Sequence, residues 1–272
     1  MVLQIARITK DRPDLFHLLE EAYEDIYVPA FPDKDERESL KTFEKAMNGK
    51  YENVEIVINI LGENLEDPDN YVVKGISVAY YFEKQNVGLL AYNAIAPEHR
   101  ERGMGKLMVQ SRIASLKELA REAGEELAGV FIECNDPFKV TPDMDSMDPA
   151  KRIALFEKWG ARKVPIDYVQ PPVSKEDDYS ENLLLMNYPV GGKYADKDVI
   201  EDFLRASYLD GITQKVTGAD GKQKKRVVSA DEDYFFKQMK RQLDKMELED
   251  LPAPPVPGYK TGAPKFRFFN KP

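Results

Sequence analysis

The chain has 272 residues, of which 42% are hydrophobic and 32% charged, with a formal net charge of −9 at pH 7. These values are typical of a folded protein with a substantial core, and they exclude a disordered or fibrous chain. A single cysteine, Cys134, and two histidines exclude a disulfide framework and argue against a metal site. The absence of a long apolar run, of an apolar leader and of paired cysteines predicts a cytoplasmic protein that does not span a membrane.

The charge is unevenly distributed along the chain. Residues 1–190 contain 23 basic and 35 acidic side chains, whereas residues 191–272 contain 16 basic and 13 acidic ones. An acidic main part argues against nucleic-acid binding, which requires a basic surface. The acidic composition suits a cationic substrate. The alternative explanation is an acidic surface that only maintains solubility.

Apolar spacing and turn residues predict a mixed order of helices and strands. The predicted helices cover residues 15–26, 34–48, 103–123 and 149–159. The predicted strands cover residues 54–61, 71–82, 87–96, 129–133, 164–169 and 183–187. The strand, helix, strand order in the middle of this series predicts locally parallel strands within a mixed sheet, with helices on both faces.

Residues 191–272 differ in character from the rest of the chain. A Gly-Gly pair at residues 191–192 is typical of a linker, and helices are predicted over residues 198–209 and 231–246. A proline-rich segment follows at residues 252–258. We therefore predict a main domain over residues 1–190 and a C-terminal helical extension with a proline-rich tail over residues 191–272. The apolar stripes of the extension suit packing on the same chain or docking on a second copy in a homodimer.

The segment Ala91–Met108, AYNAIAPEHRERGMGKLM, carries the clearest chemical signal. A strand ends near Ala96, and two glycines then allow a tight turn into a helix. The N-terminus of a helix attracts anions, and the neighbouring basic residues add positive charge. The segment therefore predicts a phosphate or pyrophosphate site, with an ordinary strand-to-helix turn as the alternative. Dinucleotide-binding and P-loop motifs are absent from the sequence.

The I-A-P triplet followed by R-x-x-G-x-G, placed between a strand and a helix, resembles motif A of the GNAT superfamily of acyl-CoA-dependent N-acyltransferases. The resemblance covers roughly residues 5–190. It implies an α+β fold with a mostly antiparallel central sheet, a splayed parallel pair of its fourth and fifth strands, and helices on both faces. It also implies acetyl-CoA as cofactor and a primary amine, here expected to be cationic, as acceptor. A CoA-binding module without turnover is the alternative function.

The resemblance assigns cofactor contacts to particular residues. These are Ala94, Ile95 and Ala96 for the pantetheine arm, Arg100, Glu101, Arg102, Gly103, Met104, Gly105 and Lys106 for the pyrophosphate, and Asn135 for a further contact. Splayed strands also leave backbone N–H groups that could polarise the thioester carbonyl.

The proton-transfer residues depart from the family pattern. The position that often carries a tyrosine acid is Phe156, and the position of a glutamate base in some members is Leu89. Glu133 and Tyr168 are the substitutes that we predict as catalytic residues. A glutamate in an apolar strand is costly to bury alone, so Glu133 is expected to face a cleft or a partner. A structural hydrogen-bonding role for Glu133 remains the alternative.

Overall fold

A computed structural model describes residues 2–32, 37–141, 147–172, 178–208, 212–217, 223–246 and 267–268. The chain divides into two compact units, which we call unit 1 (Met1–Val130 with Val256–Pro272) and unit 2 (Phe131–Pro255). The domain boundary expected near residue 190 stays a prediction. The proline-rich segment 252–258 lies outside the described residues.

The described residues contain strands and helices in a mixed order. The strands are β1 (Leu3–Ile8), β2 (Val54–Glu63), β3 (Val72–Phe82), β4 (Val87–Ile95), β5 (Gly129–Asn135), β6 (Arg162–Lys163), β7 (Leu183–Tyr188), β8 (Ile212–Thr217), β9 (Gln223–Val228) and β10 (Arg267–Phe268). The helices are α1 (Phe16–Ala22), α2 (Val28–Ala30), α3 (Leu40–Met47), α4 (Met104–Glu122), α5 (Pro149–Lys158), α6 (Lys197–Ala206) and α7 (Tyr234–Lys245). The predicted fold class, a mixed and mostly antiparallel α+β fold, is confirmed.

In unit 1 the strands lie in the order β10, β1, β2, β3, β4. Strands β1 to β4 pair antiparallel in succession, and β10 pairs parallel with β1. The sequence reading missed β1. Its Ile5, Ala6 and Ile8 are all buried, so both of its faces carry apolar residues and the two-residue alternation of a strand is absent.

Helices cover both faces of the unit 1 sheet, as predicted. Side chains from α1, the following turn and α3 form one apolar cluster with residues such as Ile58, Val78 and Ala94. Met108 of α4 forms a second cluster with Ile5 and Leu61. Ile5 and Leu61 are each adjacent, in β1 and β2, to a residue of the first cluster. Because successive side chains of a strand point to opposite faces, the two clusters lie on opposite faces of the sheet.

The two long helical segments of unit 1 differ in how well their buried faces were predicted. The five apolar residues expected to face inward in the first segment are all buried, namely Leu15, Leu18, Leu19, Ala22 and Ile26. Between α1 and α2 this segment contains a π-helical stretch, Tyr23–Tyr27. Helix α4 was predicted less well. Of the four residues expected to face inward, Leu116 and Ala120 are buried, whereas Leu107 and Ile113 are only partly buried. Three polar residues, Ser111, Arg112 and Ser115, are also buried.

In unit 2, β5 neighbours β7, and β7 pairs antiparallel with β6. The strand predicted over residues 164–169 is wrong. Pairing with β7 ends with the hydrogen bond from the Val164 N–H to the Leu185 carbonyl (2.8 Å), because the next residue is Pro165, which has no N–H to donate. Helix α5 begins as predicted, with Asp148 accepting a hydrogen bond from the Lys151 N–H and with Pro149 in the first turn.

The two helices of the C-terminal extension bury their apolar stripes within unit 2. Phe203 of α6 stacks on Phe131 of β5, with ring centroids 4.3 Å apart. Phe236 and Met239 of α7 are also buried, whereas the neighbouring Tyr234 is exposed. Strands β8 and β9 form an antiparallel hairpin that the sequence reading did not predict. None of the helices in the described ranges is long and apolar enough to cross a membrane.

Candidate active site

The segment between β4 and α4 forms a tight turn around a helix N-terminus. A 3₁₀ turn over Pro97–His99 leaves the strand, and α4 begins at Met104. Glu101 and Gly103 adopt left-handed backbone conformations, with φ values of 64° and 78°. Left-handed residues next to right-handed ones turn successive N–H groups toward one point, which is the geometry of an anion-binding nest.

The start of α4 presents its first N–H groups without a side-chain cap. Gly103 is the N-cap residue, and it has no side chain that could accept a hydrogen bond from the N–H groups of the first turn. The first N–H groups of any α-helix have no acceptor within the helix, so this end is suited to an external anion. Arg100 and Arg102 are exposed beside it and supply positive charge. Among the described residues, this end of α4 therefore carries both features of a phosphate site.

The predicted cofactor residues occupy two separate parts of the chain. Those from Ala94 to Lys106 form one continuous stretch of unit 1, and Asn135 is the last residue of β5. Two of the backbone groups assigned to pantetheine already have partners, because the Ala96 N–H donates to the Lys74 carbonyl at 3.0 Å and Arg100 Nε donates to the Ile95 carbonyl at 3.1 Å. Arg100 thereby ties the turn to the end of β4.

Strand β4 contains a bulge that sequence reasoning did not anticipate. Val78 pairs with Tyr92 and Tyr80 pairs with Leu89, so two residues of β4 oppose the single residue Ala79 of β3. A bulge bends its strand and redirects backbone groups, and bulges are common beside active sites. Hydrophobic spacing alone does not predict an extra residue of this kind.

A fully buried arginine fixes the strands at this bulge. Arg112 of α4 donates through Nη1 to the carbonyl oxygens of Val78 (3.1 Å) and Tyr92 (3.0 Å). Hydrogen bonds from a charged donor are stronger than neutral ones. Arg112 therefore holds β3 and β4 together at the point where their register changes. No sequence pattern indicates this role, because an arginine in a helix is usually exposed.

The predicted catalytic residues Glu133 and Tyr168 lie together in unit 2. The buried Tyr168 hydroxyl donates to Glu133 Oε1, and Gln170 Nε2 donates to Oε2 at 2.9 Å. Burial raises the pKa of Glu133, and the two hydrogen bonds partly offset that rise. Burial and the neighbouring carboxylate raise the pKa of Tyr168 well above its usual value. The structure thus brings this pair into contact, and its catalytic role stays a prediction.

Two other residues considered from the sequence, Phe156 and Cys134, are core side chains. Phe156 is buried and packs against Trp159, with ring centroids 5.8 Å apart, so it has the role of a core side chain. Cys134 is buried with its Sγ 3.9 Å from the Met186 sulfur. A buried thiol in apolar surroundings is not a reactive nucleophile.

A second carboxylate–tyrosine pair, in unit 1, was not predicted. Tyr80 donates to Glu38 Oε1 at 2.6 Å. The helix predicted over residues 34–48 includes Glu38, but α3 begins at Leu40 with Ser39 as its N-cap, so Glu38 precedes the helix. The alternation of β3, which directs Tyr80 to the face of α1 and α3, is the signal that could have suggested a partner there. Within the described ranges, no group of three or more His, Cys, Asp or Glu side chains is arranged to hold a metal.

Several solved structures are similar to this chain over about two thirds of its length. A GNAT-family protein from Bacteroides thetaiotaomicron is 20% identical, with a TM-score of 0.44, 68% of this chain covered and 86% of that one. The ribosomal-protein-S18-alanine N-acetyltransferase of Escherichia coli is 16% identical, with a TM-score of 0.42, 70% of this chain covered and 94% of that one. A GNAT-family acetyltransferase from Elizabethkingia anophelis, solved with acetyl-CoA bound, is 13% identical, with a TM-score of 0.41, 69% of this chain covered and 98% of that one.

Comparisons at the level of sequence identify no relative. No protein-family model matches the chain, and no curated protein matches it. The function of this chain is therefore inferred from its own residues and from the motif that they form.

Proposed function

We propose that this protein is an acetyl-CoA-dependent N-acetyltransferase that transfers the acetyl group to a primary amine. The observation that carries the proposal is the uncapped N-terminus of α4, which is preceded by two left-handed residues and flanked by arginines. This arrangement fits the pyrophosphate of CoA, because it offers converging N–H groups and positive charge together. A single cysteine, which is buried and cannot form a disulfide within the chain, suits a reducing cytoplasmic setting.

The proposed cofactor contacts follow from this anchor. Backbone N–H groups from Arg100 to Lys106 would hold the pyrophosphate, the backbone of Ala94 to Ala96 would accompany the pantetheine arm, and Asn135 would add a contact. When bound, acetyl-CoA supplies a thioester whose carbonyl carbon accepts the amine nitrogen. The bulge in β4 turns backbone groups away from β3, and a freed N–H there would stabilise the negative charge that develops on the carbonyl oxygen.

Glu133 and Tyr168 are proposed to serve the leaving-group side of the reaction. A thiolate leaves more readily when a proton is supplied to it. Burial raises the pKa of Glu133, so the carboxyl group holds its proton at a higher pH than an exposed glutamate does. Tyr168 and Gln170 would hold the carboxyl group in place through their hydrogen bonds.

A CoA-binding module without turnover is the second candidate function. The buried Phe156 favours it, because the position that carries the acid in many relatives of this motif holds a side chain without a proton to donate. Both candidates require CoA binding, and only the first consumes the thioester. The acidic composition of residues 1–190 supports a cationic acceptor for the enzyme.

Isothermal titration of the full chain with acetyl-CoA, and with CoA, tests the shared requirement. We expect saturable binding that Gly103→Glu weakens by at least about tenfold, because the substitution places a carboxylate where the phosphates would lie. Gly124→Glu is the matched control. Gly124 is also left-handed (φ 83°), follows the other end of α4, and like Gly103 has open space where a side chain would begin.

The two glycine variants carry the same backbone strain, so they should lose similar stability. Equal acetyl-CoA affinity in both variants would show that the turn before α4 does not bind the cofactor. If acetyl-CoA shows no saturable binding to the folded wild-type chain, both candidate functions are excluded.

A further inference from the structure

Three tyrosines hold Glu38 in a defined position within unit 1. The Glu38 N–H donates to the Tyr27 hydroxyl at 3.0 Å, and the Glu38 carbonyl accepts from the Tyr23 hydroxyl at 3.1 Å. The side chain accepts from the Tyr80 hydroxyl at 2.6 Å. Backbone and side chain are therefore both fixed, which is unusual for a glutamate in a connecting segment.

An aromatic cluster includes Tyr27, the residue whose hydroxyl accepts from the Glu38 N–H. The rings of Tyr27, Phe31 and Tyr92 form a triangle in which each pair of centroids is 5.1 Å apart. Tyr27 is fully buried, whereas Phe31, Tyr92 and Tyr80 are partly exposed. The faces of aromatic rings attract organic cations, and this attraction increases when the cation is partly removed from water.

The charge of Glu38 is not compensated within the described part of the chain. Burial raises the pKa of Glu38, and the hydrogen bond from Tyr80 opposes that rise. No lysine, arginine or histidine among the described residues contributes to the shift, although a nearby cation would lower the pKa. The guanidinium of the adjacent Arg37 instead donates to the carbonyl oxygens of Phe31 and Pro32. A partly buried carboxylate that pairs with no cation among the described residues can accept an external one.

The cluster lies beside the strand to which the proposed function assigns the acyl group. Tyr92 belongs to β4 and pairs with Val78 on one side of the bulge, and Tyr80 pairs with Leu89 on the other. Glu38 is thus hydrogen-bonded to a residue that flanks the bulge. An amine held here would be close to the part of β4 whose backbone is displaced.

We propose that Glu38 and the rings of Phe31, Tyr80 and Tyr92 bind the primary ammonium group of the acceptor. The carboxylate would supply the opposite charge and a hydrogen-bond acceptor, and the partly exposed rings would contact the ammonium and its first methylene groups. The ligand class is a primary alkylammonium with an unbranched chain next to the nitrogen, as in an aliphatic amine or a lysine side chain. This inference rests on the proposed function for its place in the reaction.

The test titrates n-hexylammonium chloride into the full chain by calorimetry, with n-hexanol as an uncharged ligand of the same length. We expect saturable binding of hexylammonium and at least about tenfold weaker binding of hexanol. Glu38→Gln should weaken hexylammonium binding by about tenfold or more, because it removes the charge and keeps an oxygen that Tyr80 can bond. Glu21→Gln is the matched control and should leave the affinity unchanged, because Glu21 also accepts from a tyrosine hydroxyl (Tyr71, 2.6 Å) but takes no part in the proposed site.

Phe31→Leu provides an independent check should Glu38→Gln fail to fold. It removes one partly exposed ring and keeps an apolar side chain, so a loss of about threefold is expected in hexylammonium affinity. Equal affinity of the wild type and Glu38→Gln for hexylammonium overturns the inference, as does a lack of saturable binding. Acetyl-CoA titrations on the same samples separate the two proposals: retained acetyl-CoA binding without hexylammonium binding rejects only the ammonium site.

Discussion

Two of the glutamate–tyrosine pairs in the described residues, Glu133 with Tyr168 and Glu38 with Tyr80, use the same groups in different surroundings. Glu133 in unit 2 accepts from both Tyr168 and Gln170, and Tyr168 is only 1% exposed. Glu38 in unit 1 accepts from Tyr80 alone among the side chains described, and Tyr80 is partly exposed. Burial raises the pKa of both carboxyl groups. The two carboxyl groups therefore differ in the number of side-chain donors that they accept from and in the exposure of the tyrosine. Glu38, with one donor and a partly exposed tyrosine, is the better placed of the two to contact an external cation.

Removing the two carboxylates should therefore affect stability to different extents. Glu133→Ala leaves the hydroxyl of Tyr168 and the amide of Gln170 without their acceptor, which we expect to lower the free energy of unfolding by about 3 kcal/mol. Glu38→Ala should lower it by about 1 kcal/mol, because it leaves only one side-chain donor, the Tyr80 hydroxyl, without its acceptor. Urea unfolding of the full chain measures both values. Similar losses in the two variants would contradict the distinction between the pairs.

Arg112 tests how far the Glu38 site depends on the bulge. Arg112→Met should lower the free energy of unfolding by about 2 kcal/mol, because it removes the donor to the Val78 and Tyr92 carbonyls and replaces the side chain by an apolar one of similar length. It should also weaken hexylammonium binding, since Tyr92 lies in the displaced part of β4. Arg112→Lys keeps the charge and should retain more of both. Unchanged ammonium affinity in Arg112→Met would mean that the aromatic rings are positioned without this hydrogen bond.

The smallest expected effect concerns the hydrogen bond between Tyr80 and Glu38. That bond stabilises the carboxylate and lowers its pKa, so Tyr80→Phe should raise the pKa of Glu38. Hexylammonium binds the ionised carboxylate, so its affinity should increase with pH through this pKa and the increase should move to higher pH in the variant. Calorimetric titrations over a pH series measure the midpoint. A midpoint that stays in place or moves to lower pH would show that another group controls binding.

The sequence predicted the parts of the molecule that depend on local patterns. Helical spacing identified the buried face of the first helical segment, and the two glycines with their basic neighbours marked the turn before α4. The bulge in β4, the inward position of Arg112 and the partners of Glu38 were not predictable in this way. Each depends on residues far apart in the chain, such as Glu38 and Tyr80 or Arg112 and Val78, and no local propensity encodes such contacts.

The contacts of Glu133 were predicted only in part. Its position in an apolar strand predicted that it would have a partner, because an unpaired buried carboxylate is costly. Tyr168 was named as a candidate by residue type, and the structure places the two in contact. Gln170, the second donor, was not foreseen, since a glutamine carries no comparable signal in the sequence.

The most direct test of the account is acetyl-CoA consumption, followed by thiol release, with a panel of aliphatic monoamines, diamines and lysine-containing peptides. The account predicts amine-dependent release by the wild-type chain. It also predicts that Glu38→Gln raises the KM for the amine by about tenfold or more while the acetyl-CoA dissociation constant stays unchanged. A folded wild-type chain that binds acetyl-CoA but releases no thiol with any amine would contradict the transferase and leave the CoA-binding module.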